Sequence, residues 1–289
     1  MIERLKEIAA ANGDRLAAMK VEHLAVLKRN FEKLGIPAEE YFNYEPPADL
    51  DFTVKSVLVA ACRSPLSSAT FTYGGEKRTV LIPPGYLSVH SRERIVRDYL
   101  SGALNENGFN IKSVWKLPAK QIAALTGLGA YGRNNIIYVD GMGSFINLHL
   151  YFTDLECEGE PFDGEAYLTR MPSCSGCDVC VRNCPTASLN FGAEMIDINR
   201  CICWLNEHPG AFPDWLDPAL HNALFGCMFC QDICPHNKDF INNAVNVADF
   251  NEEQTNAFLN GTAGDELFAA MGIVFFKEYI PRNLKVLLN

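Results

Sequence analysis

Two stretches decide how this chain is read: Cys174-Ser-Gly-Cys177-Asp-Val-Cys180-Val-Arg-Asn-Cys184-Pro185 and Cys227-Met-Phe-Cys230-Gln-Asp-Ile-Cys234-Pro235. The first is C-x2-C-x2-C-x3-C-P, and the second repeats it with one cysteine fewer. The x2 spacings let three thiolates wrap one cubane, while the Cys-Pro that follows aims its sulfur at the other cluster. Two 4Fe-4S clusters are the direct reading. Exchange of the Cys-Pro residues assigns Cys174, Cys177, Cys180 and Cys234 to one cluster and Cys184, Cys227 and Cys230 to the other. The missing eighth ligand falls to Cys201 or Cys203, which lie between the motifs. Structural zinc also takes four thiolates from paired C-x2-C units, but it needs neither the third x2 cysteine nor a Cys-Pro closing both motifs. Cys62 and Cys157 stand apart and read as ordinary buried thiols.

Outward from this segment, the chain of 289 residues has material for about two domains. Its 48% hydrophobic and 21% charged content is that of a globular protein. Eleven cysteines beside an N-terminus that lacks the secretory pattern point to a reducing, cytoplasmic setting. The longest late apolar stretch, residues 267–276, is too short to cross a bilayer, so no membrane partner is expected. A net charge of -10 repels polyphosphate and argues against nucleic acid as a partner.

Residues 1–35 carry a helical period through Leu5, Ile8, Leu16, Met19, Leu24, Leu27 and Phe31, which predicts one or two helices broken near Asn12-Gly13-Asp14. Strands are expected over 54–61 and 79–82, a capped helix from Ser91 to about 107, and a helix over 118–126. Two further strands, 135–139 and 144–152, flank Asp140-Gly141-Met142-Gly143 as a hairpin. The acid-rich residues 156–165 read as a solvated linker. The fold class is therefore α+β, with an N-terminal helical segment (1–50), an α/β-type domain (51–165), a bacterial-ferredoxin-like two-cluster domain (166–244) and C-terminal helices packing on the core (245–289).

A plain ferredoxin needs far fewer residues, so the first 155 should hold whatever receives the electrons. Neither a dinucleotide-binding glycine fingerprint nor a Walker lysine is present. The string Gly127-Leu-Gly129-Ala-Tyr-Gly132-Arg133-Asn134 fits either a helix cap and turn or a close backbone approach to a cofactor.

These residues resemble the epoxyqueuosine reductase family, cobalamin-dependent iron-sulfur enzymes related to the reductive dehalogenases. Gly127-Leu-Gly129 with Gly132-Arg133-Asn134 resembles the family's G-L-G-x-x-G-K-N. Gly143-Ser144-Phe145 through Thr153-Asp154-Leu155 resembles its G-S-F strand ending in T-D-L. Arg200-Cys201 before Trp204-Leu205 resembles R-C-I-S-Y-L and selects Cys201 as the eighth ligand. Cys234-Pro235-His236-Asn237 and Arg282-Asn283 also match. The resemblance covers most of residues 50–289. It implies an α/β-type domain that binds cobalamin with its lower base displaced, and electrons that reach cobalt through the clusters from an external low-potential donor such as ferredoxin or flavodoxin. It also implies Arg133, Asn134 and Ser144 as cofactor contacts.

The departures bear on the substrate. Where the family carries a catalytic aspartate in a D-x-A-P-type segment, this chain reads Ser113-Val114-Trp115-Lys116-Leu117-Pro118, and a glutamate expected in the G-S-F strand is replaced by Leu150. The helical-repeat region that many family members carry beyond the segment matching Arg282-Asn283 is not expected here. Cleaving an epoxide needs a proton for the departing oxygen, so a missing acid removes a role. The expected substrate is then a small electrophile other than tRNA, with Tyr131, Tyr86 or His90 as candidate proton donors. An electron-transfer or corrinoid-reactivating protein without substrate chemistry is the alternative, and a cobalamin-trafficking protein a third.

Overall fold

The structure is a computed structural model that describes residues 1–33, 35, 37–157, 170–190, 196–242 and 244–289. Its first sheet is built around β2 (Ser56–Arg63), whose residues from Ser56 to Cys62 are all buried, as a strand covered on both faces requires. β1 (Arg15–Lys20) and β8 (Ile146–Thr153) flank it, and β5 (Ile111–Val114) lies outside β8, giving the order β1-β2-β8-β5 with every pair antiparallel. Strand alternation sends Val57, Val59, Leu150 and Phe152 to one face, where α2 (Leu24–Lys33) and α5 (Ala119–Leu125) contribute Leu27, Phe31 and Ile122 to a core. Leu58, Ala60 and Tyr151 point the other way, against Leu5 of α1 (Ile2–Ala11) and Val96 and Leu100 of α4 (Val89–Asn105).

The second sheet has the order β4-β3-β9. β3 (Ser67–Tyr73) and β4 (Glu76–Ile82) form a hairpin through Gly74-Gly75, both at positive φ, and the two turn amides donate to the Glu252 carboxylate at 2.9 and 3.0 Å. β9 (Val245–Phe250) joins β3 in parallel. Phe71, Ile82 and Phe250 pack with Phe258 of α9 (Glu252–Leu259), Met271 of α10 (Asp265–Met271) and Leu284 of α11 (Ile280–Leu288). The remaining elements are small: α3 (Ala38–Tyr41), β6 (Ala130–Tyr131) paired with β7 (Ile137–Tyr138), and, in the cysteine segment, α6 (Val179–Asn183), α7 (Ile202–Asn206) and α8 (Phe229–Asp232).

Several expectations are corrected. The helical period through Leu16 and Met19 ends at Ala11, and Arg15–Lys20 is strand because it pairs along its whole length with β2, a long-range ladder that overrides local propensity. Residues 140–143 close only a single Val139–Gly143 bridge, since β8 takes its partners from β2 and β5. Ser91 lies inside α4 and donates to the carbonyl of Ser88, which holds the N-cap position. The C-terminal part opens with a strand, and β3 and β5 also escaped the pattern. Of the acid-rich linker, residues 158–165 lie outside the described residues, while Glu156 pairs with Lys55 at 3.7 Å.

Candidate functional site

The cysteine segment carries little regular structure, so side chains hold it in place. Arg282 of α11 donates to four carbonyls, those of Leu205 (2.9 Å), Asn206 (3.2 Å), His208 (2.8 Å) and Gly210 (2.6 Å), and its guanidinium lies over the Phe212 ring. Asn283, fully buried, donates to the carbonyls of Asn206 and Leu224. On the other side, Ser144 and Asn237 lock the segment to the loop before β8. Gly143 sits at φ +62°, and a Cβ there would stand 2.5 Å from Asn237 Oδ1, so only glycine admits this contact.

Held this way, the cysteines line two cavities. Cys174, Cys177, Cys180 and Cys234 border one of about 150 Å³, and Cys184, Cys201, Cys203, Cys227 and Cys230 border one of about 460 Å³. Among the described residues no three His, Cys, Asp or Glu side chains converge on a point that could hold one metal ion. The thiols are distributed along the walls of the two cavities. Burial pushes the Cys227 thiol up to about 12 and Cys230 well above its usual value. Ligation of a metal by these thiols would require that they lose their protons. The contact between Cys203 and Cys201 holds Cys201 below the ordinary thiol range and Cys203 above it.

The larger cavity extends beyond its thiols. Pro83, Ile136, Ile146, Leu148 and Leu189 give it apolar walls, and Asn134, Ser144 and Gln231 supply polar atoms. Asn134 borders both cavities; its Nδ2 donates to Tyr138 and to the carbonyl of Cys230 (3.2 Å), and its buried Oδ1 has no hydrogen-bond partner among the described residues. Ser144 Oγ donates to Gln231 at 2.8 Å. Arg133 borders only the smaller cavity, where it donates to the carbonyl of Cys174.

The candidate proton donors separate. Tyr86 lines the larger cavity. Tyr131 and His90 line neither of the two: Tyr131 is buried in the core beside the first sheet, and His90 packs between Trp115 and the exposed Phe275. Leu150 is core, opposite Val59, in a place that would strand a carboxylate. Two further groups have no sequence signal, one lining the larger cavity and one behind its wall. Lys120 of α5 lines it and donates to the carbonyl of Asn135 at 3.3 Å. Solvent reaches this side chain. Glu207 accepts from Tyr86 and Cys203. A single lysine and a single glutamate carry no spacing to read; only the fold brings them here.

The model of a 4Fe-4S double cluster binding domain matches residues 173–237. The fold and its cysteines thus define an iron-sulfur protein of the two-cluster class, set on an α+β scaffold. The epoxyqueuosine reductase of Pseudomonas aeruginosa is 36% identical over 121 residues, covering 41% of this chain and 31% of that protein. The structure of the epoxyqueuosine reductase from Streptococcus thermophilus superposes with a TM-score of 0.69 at 18% identity, over 99% of this chain and 80% of that one. A third relative, an epoxyqueuosine reductase solved with a tRNA-Tyr epoxyqueuosine-modified stem loop, gives 0.67 at 20% identity with the same coverage. The chain is thus similar to epoxyqueuosine reductases in sequence over 121 residues and in fold over nearly its whole length. It spans between 30 and 50% of the length of the curated relatives it matches.

Proposed function

We propose that this chain is an oxidoreductase that passes electrons through two 4Fe-4S clusters to a bound cobalamin and reduces a small electrophilic substrate other than tRNA. The observation that carries the reading is the division of the cysteines between two adjoining cavities, the larger of which continues into an apolar-walled space. Cys174, Cys177, Cys180 and Cys234 would hold one cluster, and Cys184, Cys201, Cys227 and Cys230 the other, with an external low-potential carrier as electron source.

The residues of the larger cavity fit a corrin. Its walls suit the apolar faces of a large flat ring, and the unpartnered Asn134 Oδ1 is an acceptor for the amide hydrogens that fringe one. Asn134 and Ser144 would contact it, with Gln231 orienting the Ser144 hydroxyl; Arg133 serves the first cluster's side. When bound, cobalamin supplies reductive metal chemistry that no side chain offers. The protein's part is to exclude water with Pro83, Ile136 and Leu148, to fix orientation through Asn134 and Ser144, and to deliver a proton.

Three features favour a substrate other than tRNA: the net charge of -10, the acid-free segment 113–118, and Leu150 in the core. A family relative is solved with a modified tRNA stem loop, so binding of such a stem loop to this chain is the direct competing result.

Anaerobic purification from cells given cobalamin, followed by iron, sulfide and cobalt analysis, tests the reading. About eight iron and one cobalt per chain are expected. Eight iron without cobalt would replace it with an electron-transfer protein.

A further inference from the structure

Tyr86 follows β4 and lines the larger cavity. Its hydroxyl donates to Glu207 Oε1, and Cys203 Sγ stands 3.8 Å from it. The Cys203 thiol, on the same cavity wall, donates to that same carboxylate oxygen at 3.1 Å. The tyrosine ring is fixed by stacking on Phe225, with centroids 5.6 Å apart and planes 19° apart, and by Phe276 at 6.1 Å. Room for the hydroxyl comes from Gly226, at φ +56°, where a Cβ would stand 2.6 Å from the phenolic oxygen. Two donors therefore converge on one oxygen of a largely buried carboxyl group. None of the three residues belongs to the ligand set assigned above, and the acid-free segment 113–118 leaves the cavity without another carboxyl group assigned to proton delivery.

We propose that Tyr86 is the catalytic acid of this cavity and that Glu207 is its positioning residue and proton reservoir. This rests on the reductase reading of the same cavity. For a reductive cleavage, R–X + 2 e⁻ + H⁺ gives R–H + X⁻: the C–X bond breaks, X leaves with a negative charge, and a C–H bond forms. Both electrons come from the external low-potential carrier through the clusters. Tyr86 turns its phenolic proton from Glu207 to the substrate carbon and gives it up, the protonated Glu207 carboxyl then turns its own O–H to the phenolate and donates that proton, and water returns one proton to Glu207. Burial supports the reservoir role by pushing the Glu207 carboxyl above its usual value, against the lowering effect of the bonds from Tyr86 and Cys203. Burial likewise raises Tyr86, which keeps the phenol protonated until a stronger base is generated beside it.

The pair is tested first without cobalamin or substrate. Electrons added to the clusters place negative charge near Glu207 and should draw a proton onto it, so an infrared difference spectrum of reduced minus oxidised two-cluster protein should show a protonated-carboxyl band that shifts in heavy water. Glu207→Gln should abolish the band and Tyr86→Phe should displace it, with iron content unchanged in both. A spectrum without the band, or the same band in Glu207→Gln, overturns the proposal. The second arm uses cofactor-loaded protein and an aliphatic halide as probe. Tyr86→Phe should lower kcat by about 100-fold or more with KM held, the usual worth of a positioned acid; an unchanged kcat would overturn the catalytic assignment. Because the infrared arm needs neither corrin nor substrate, it separates failure of this inference from failure of the reductase reading.

Discussion

Ser144 and Asn237 grip each other through two hydrogen bonds: the Ser144 amide donates to Asn237 Oδ1 at 2.9 Å, and Asn237 Nδ2 donates to Ser144 Oγ at 2.8 Å. Both residues are buried, 93 positions apart, and Asn237 Nδ2 also reaches the carbonyl of Gln231 at 3.0 Å. The pair joins the loop before β8 to the segment just past the second cysteine motif. Asn237→Ala leaves three buried polar groups without this partner and should cost about 2–4 kcal/mol in urea unfolding, more than Ser144→Ala, which keeps the backbone bond. Equal losses would show that the backbone contact contributes nothing.

Cys201 and Cys203 should differ as ligands although both border the larger cavity. With the assignment above, Cys201→Ala lowers iron from about eight to about four per chain, while Cys203→Ala leaves about eight. Cys177→Ala should also halve the iron, through the other cluster. The reverse outcome for Cys201 and Cys203 would move the eighth ligand by two residues.

Arg282 reaches four carbonyls in fork geometry, so its effect depends on shape as well as charge. Arg282→Lys should recover little of the loss in Arg282→Ala. Thermal unfolding of the two variants checks this, and full rescue by lysine would reduce the role of Arg282 to that of a positive charge.

His149 lies under α4, 2% exposed, and burial followed by the nearby Arg92 charge lowers its pKa to about 4, with Asp14 opposing. Between pH 6.5 and 4 the unfolded chain binds a proton there that the folded chain does not. Stability conferred by neutral His149 is thus whole above pH 6.5 and declines as pH falls toward 4, by about 3 kcal/mol at most. Because clusters are themselves acid-labile, the measurement is the difference between wild type and His149→Leu in urea at pH 7, 5.5 and 4.5. A constant difference would contradict the shift.

How much of this was legible depends on the range of the cause. The run Val57 to Ala61 declares a doubly covered strand because burial on both faces is written in its own residues. Arg15–Lys20 does not, because its Leu, Ala, Met and Lys suit a helix and only β2, about 40 residues away, makes it a strand. β9 is harder still, since its partner β3 lies about 175 positions earlier. The cysteines were plain because a cubane imposes local spacing. Tyr86 could be named only among several candidates, and Glu207 not at all, because their meeting is made by tertiary structure alone.

The parallel pairing of β9 with β3 also fixes an order in time. On the ribosome the chain emerges from its N-terminus, so all nine cysteines from Cys174 to Cys234 leave the tunnel before β9 does. The hairpin of β3 and β4 waits with one edge open until residues 245–250 arrive, and α9 to α11 then close over it. Iron delivery has an interval in which every sulfur is already outside and the final sheet is still unmade. A truncation before Val245 would leave a polypeptide that holds every cysteine yet lacks the strand and helices that finish the enclosure.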